Sequence, residues 1–101
     1  MAERWSGARG SREQALALLR SMHRFPGPYE FRVVVRPQAS GATVSAVRAV
    51  LGADAELKVG ERWSRAGTWV ALHLRATVSS AEQVLDVYEV LQRTEGVATV
   101  M

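Results

Sequence analysis

The chain has 101 residues, 48% of them hydrophobic, which bounds it to one globular domain with one core and no large interior cavity. It has no cysteine, which excludes a disulfide scaffold, a thiolate zinc site and a cysteine nucleophile, and no apolar run nears the roughly eighteen residues of a membrane span. The net charge of +3 rests on arginine, twelve of the thirteen basic residues, in an alanine- and valine-rich background, so it allows an anionic partner without requiring one.

In chain order, residues 1–10 carry Gly7, Gly10 and arginines without periodicity and read as a flexible arm that only Trp5 could anchor. From Ser11 to His23 the pattern is helical. Ser11 and Gln14 stand in capping-box positions, and Ala15, Leu18, Leu19 and Met22 share a face that has to bury against the rest of the domain. Phe25-Pro26-Gly27-Pro28 stops that helix, because proline lacks the backbone donor and fixes φ. Tyr29 to Arg36 alternates β-branched and aromatic residues and reads as a strand. A turn at Pro37-Gln38-Ala39-Ser40-Gly41 leads into a helix with Val44, Val47, Val50 and Leu51 on one side, and Gly52 is its natural terminator. A second strand runs from Ala55 to Trp63, Ser64-Arg65-Ala66-Gly67 turns the chain, and a third strand runs from Thr68 to Val78. Ser79 and Glu82 form another capping box before a helix striped with Ala81, Val84, Leu85, Tyr88 and Leu91. Gly96 ends it, and Val97 to Met101 is a short closing strand.

An order of βαββαβ has few compact solutions, and the favoured one is α+β: a ferredoxin-like sandwich, with a four-stranded antiparallel sheet carrying two helices on one face. The expected organisation is a flexible arm over 1–10, an N-terminal helix over 11–24 and the ferredoxin-like domain over 25–101. Alternation assigns the faces. Tyr29, Phe31, Val33, Val35, Leu57, Val59, Val70, Leu72 and Leu74 should meet the helices, while Glu30, Arg32, Val34, Lys58, Arg62, Trp69, Ala71, His73 and Arg75 should line the open face.

Several of these residues carry a resemblance. The leucine lead-in Leu18-Leu19, the entry Phe25-Pro26-Gly27-Pro28-Tyr29-Glu30-Phe31-Arg32-Val33, the hairpin Ser64-Arg65-Ala66-Gly67-Thr68-Trp69 and the apolar terminus Val97-Ala98-Thr99-Val100-Met101 make the chain similar to the YbeD-like family of small bacterial proteins of unknown function. The similarity covers Leu18 to Met101. It implies an ACT-like, ferredoxin-like fold and, by analogy of shape, a regulatory or interaction role; it supplies no catalytic residues. The hairpin is one residue longer than the family pattern, with Trp63 where a small polar residue is common and Trp69 where tyrosine is usual. The N-terminal arm is also longer.

The residues themselves argue for binding over catalysis. His23 and His73 are the only histidines and stand fifty residues apart, which speaks against a metal site, and no cofactor is expected. Glu56, Glu61, Asp86 and Glu89 are scattered, with no pair placed to split its pKa values for acid–base work. Ser64 and Ser79 have turn and cap roles, and no glycine-rich phosphate loop is present, so the chain is expected not to be an enzyme. Trp69, Val34 and Ala71 make a small apolar centre ringed by Arg32, His73 and Arg75, a composition suited to a protein interface. The first expectation is therefore a regulatory or protein-interaction module in the cytoplasm, a homodimer or an adaptor to another protein. The alternative is an ACT-like sensor of a small anionic effector held near Ser40 and Gly41, where helix N–H groups are free. Single-stranded RNA binding on the open face stands third, because that mode needs more exposed aromatics on the two central strands than Trp69 supplies.

Overall fold

The computed structural model describes residues 9–101. Trp5 and most of the expected arm lie outside the described residues. The elements run α1 (Arg9–Met22), β1 (Gly27–Val35), a single 3-10 turn (Pro37–Ala39), α2 (Ser40–Leu51), β2 (Leu57–Trp63), β3 (Val70–Val78), α3 (Ala81–Arg93) and β4 (Val97–Val100). The sheet order is β2-β3-β1-β4, with each neighbouring pair antiparallel, so β1 and β3 are central. This is the ferredoxin-like arrangement with an added N-terminal helix.

The core lies between the helices and one face of the sheet. Phe31, Val33 and Val35 of β1 and Val70, Leu72, Leu74 and Val78 of β3 are fully buried against Val47 of α2 and Val84, Val87 and Leu91 of α3. The period-two alternation of the sequence produces this directly, since successive strand side chains point to opposite faces. Tyr29 and Leu57 pack at the margin of the same core. Val59 does not. It shares the helix-side face but is 40% exposed, because it sits on an edge strand beyond the span of two helices.

At two glycines there is no room for a Cβ. Gly96 turns the chain at φ +92°, and a Cβ there would lie 2.5 Å from the Ala39 Cβ. A Cβ on Gly27 would lie 2.5 Å from the Arg24 carbonyl oxygen where the chain leaves α1. The helix caps differ from the sequence expectation by short shifts. α1 begins at Arg9, which puts Ser11 inside the helix instead of at its cap. For α3 the cap is Ser80, whose Oγ accepts from the Gln83 N–H at 3.2 Å, while the Gln83 Oε1 accepts from the Ser79 N–H at 2.7 Å. The cap thus lies one residue further along than Ser79, and the side chain that reaches back is Gln83 in place of Glu82, to the N–H of the residue before the cap.

α1 rests on α3. Leu19 packs against the core, Arg20 forms an ion pair with Glu82, and Arg12 stands 3.9 Å from Asp86 and 4.0 Å from Glu89. Leu18 and Met22, expected on the buried face, are instead 60% and 67% exposed. With Leu19, Tyr29, Tyr88, Val100 and Met101 they border an apolar cleft of about 350 Å³ between α1, α3 and the end of the sheet. No helix among the described residues is long and apolar enough to cross a membrane.

Candidate interaction surface

The open face of the sheet is assembled by register. Arg32 stands directly opposite His73, Val34 opposite Ala71, and Glu30 opposite Arg75 across the β1–β3 pair. The β2–β3 pair adds Lys58 opposite Arg75, Gly60 opposite His73 and Arg62 opposite Ala71. Arg32, Val34, His73 and Arg75 are therefore one contiguous patch over the two central strands.

Trp69 lies one residue before β3 and is held by its hairpin. The Ser64 N–H donates to the Trp69 carbonyl at 2.9 Å, and the Trp69 N–H donates to the Ser64 Oγ at 3.1 Å. The indole is half-buried because Arg36 lies over it, with the guanidinium carbon 4.6 Å from the ring centroid. This is a cation–π contact of the kind worth about 0.5–1 kcal/mol at exposed sites. Alternation alone does not single out Arg36. The ladder does: Val35 opposes Val70, so the next residues along, Arg36 and Trp69, face one another.

Glu30 is assigned to the open face by alternation, but the sequence gives it no role there. In the structure its two carboxylate oxygens lie 3.3 Å from the His73 Nδ1 and 3.7 Å from an Arg32 guanidinium nitrogen. It therefore links two basic members of the patch. Beside it, Pro28, Glu56, Lys58, Arg75 and Thr77 border a shallow hollow of about 170 Å³. Across the whole face, Arg32, Arg36, Lys58, Arg62 and Arg75 outnumber Glu30 and Glu56 by three, equal to the +3 carried by the entire chain.

Ser40 and Gly41 belong to a separate place, the first turn of α2. The Ser40 N–H already donates to the Pro37 carbonyl, and Gly41 is exposed with open space on its side-chain side. Thr43, buried in the next turn, donates its hydroxyl to the Ala39 carbonyl at 2.7 Å. Among the described residues no group of three or more His, Cys, Asp or Glu side chains could hold a metal ion.

Among the described residues two groups have displaced acidities, and both lie off the open face. Burial, with the Tyr29 hydroxyl 3.1 Å away, pushes the Tyr88 phenol well above its ordinary range. The Glu82 carboxyl is held below the usual carboxylate range by its own backbone N–H, with the Arg20 guanidinium beside it. Glu82 stands at the start of α3, so the helix dipole acts in the same direction.

A search of curated proteins found no match. Among solved structures, the chain is similar to the C-terminal domain of the MgtC protein from Mycobacterium tuberculosis, at 17% identity and a TM-score of 0.60. The match covers 78% of this chain and 87% of that one, and at this identity it is a likeness of fold. A comparison with protein families matched residues 20–101 to "Protein of unknown function (DUF493)", the YbeD-like family whose motifs the sequence carries. With that span covering β1 to β4 without a break, the chain belongs to the DUF493 family.

Proposed function

We propose that the chain is a non-catalytic protein-interaction module of the cytoplasm that docks an acidic partner protein on the open face of its sheet. Trp69 is the central contact, with Arg32, Val34, His73 and Arg75 around it. The observation that carries this reading is the stack of Arg36 on Trp69 within a face that holds a charge surplus equal to that of the whole chain. Tryptophan and arginine are the side chains most enriched at binding hot spots, and a pre-stacked pair loses little side-chain freedom when a partner arrives. The surrounding cations would speed encounter with an acidic surface and set its orientation.

RNA fits the same face less well. A base stacking on Trp69 would have to displace Arg36, and the facing strand β1 offers Arg32 and Val34 where a second ring is needed. An anionic metabolite at Ser40 and Gly41 has only the helix entry in its favour.

The test is affinity capture from the native cell with the wild-type chain, Trp69→Ala and the double variant Arg32→Glu/Arg75→Glu. One partner protein should be held by the wild type, lost from both variants, and released as salt rises. Equal recovery by all three chains, or RNA recovered in place of a protein, overturns the reading.

A further inference from the structure

We propose that the free edge of β2 pairs antiparallel with β2 of a second copy, about a two-fold axis passing beside Val59. β2 is an edge strand, so the outward half of its backbone N–H and C=O groups has no sheet neighbour among the described residues. Its helix-side face carries a strip that the helices leave uncovered, with Val59 40% and Trp63 56% exposed and Glu61 between them. An edge with both features is a template for strand addition, and a second copy supplies the same strip with the same gap.

Charge selects the register. In a two-fold antiparallel pair, opposed residues lie on the same face, so the axis must pass through one residue position. An axis at Lys58 sets Lys58 against Lys58 of the other copy, and an axis at Gly60 sets Lys58 against Arg62. An axis at Glu61 opposes two glutamates, and one at Arg62 opposes two arginines. Axes at the strand ends, Leu57 and Trp63, leave nearly all of β2 running past its neighbour. Among the interior positions only Val59 avoids every like-charge opposition. An axis there places Val59 on Val59 and Leu57 opposite Glu61. It carries Trp63 and Arg62 past the start of the neighbouring β2, where they meet Ala55 and Glu56, the two residues just before it, with Glu56 opposite Arg62 twice over. Lys58 then lies over Gly60, which has no side chain to obstruct it.

The pairing would join two four-stranded sheets into one of eight strands. It leaves Trp69 and the β1–β3 patch uncovered, so each copy keeps its own open face. Strand pairing is also independent of docking on that face, because it uses the sheet edge and is read by mass in the absence of any partner.

The experiment is sedimentation of the purified chain with two sets of variants. The wild type should sediment as a concentration-dependent dimer. Arg62→Glu, which turns both Glu56 contacts repulsive, should weaken the dimer about tenfold, and Glu56→Arg/Arg62→Glu should restore it. Because the native chain lacks cysteine, single cysteines report register: Val59→Cys should cross-link on mild oxidation, and Gly60→Cys and Glu61→Cys should not. A monomer at all concentrations overturns the proposal, as does a dimer indifferent to Arg62→Glu or cross-linking strongest at Gly60 or Glu61.

Discussion

Gly96 has two reasons to be glycine. Its φ of +92° is costly for any residue with a Cβ, and that Cβ would meet Ala39 in the core. Gly96→Ala should therefore destabilise the fold by at least about 1 kcal/mol, read as a lower denaturant midpoint. Tyr88 works through its polar tip. Tyr88→Phe keeps the ring contacts with Phe31 and removes the 3.1 Å contact to the Tyr29 hydroxyl, which should cost about 0.5–1.5 kcal/mol. The raised acidity constant of Tyr88 carries a sign. A phenol that ionises later in the folded state than in the unfolded one contributes stability that is complete below the ordinary tyrosine value of about 10. That contribution is lost as pH climbs past it toward the folded value. In an alkaline titration, Tyr88 phenolate absorbance should appear together with unfolding, and appear earlier in a Tyr29→Phe background.

At the scale of elements, α1 and α3 are held by different means. α3 carries a side-chain cap and a buried apolar stripe, whereas α1 is attached by Leu19 and by exposed ion pairs to α3. Ser80→Ala should cost about 1 kcal/mol, measurable by denaturant titration, because the Gln83 N–H at the helix start loses its side-chain acceptor. The Glu82 carboxyl titrates below its unfolded value, so its tie to Arg20 is complete above the ordinary carboxylate range and is lost as pH falls through the lowered value. Amide protection in α1, taken relative to α2, should therefore fall in acid. In Glu82→Gln it should already be lower at neutral pH and change less on acidification.

The whole molecule is a sheet covered on one side. Its apolar interior is a single layer between β1 and β3 and the helices, so one deletion there is felt throughout. Leu72→Ala, at a fully buried central position, should cost about 2–5 kcal/mol. Against the roughly 5–15 kcal/mol of a typical domain, that should lower the thermal midpoint sharply while the transition stays cooperative. The uncovered side is where the charge collects. A molecule with five cations against two carboxylates on one face, and none of its described helices there, has a built-in polarity that its modest net charge conceals.

The element order, the strand faces of β1 and β3 and the ferredoxin-like topology were all legible in the sequence. They result from periodicity and from Pro and Gly, which act within a few residues of chain and need no distant partner. The patch of Arg32, Val34, His73 and Arg75 was legible for the same reason, since alternation alone assigns residues to a face. Other features were decided only in three dimensions. Alternation correctly put Val59 on the helix side but could not tell how far two helices reach across a sheet, and they stop short of the edge strand. Leu18 and Met22 have the spacing of buried residues, yet α1 lies on α3 at an angle that seats Leu19 and leaves them at the rim of a cleft. Arg36 covers Trp69 because strand register opposes residues far apart in the chain. Local chemistry determined which residues could face together; the packing of one element on another decided which of them are covered.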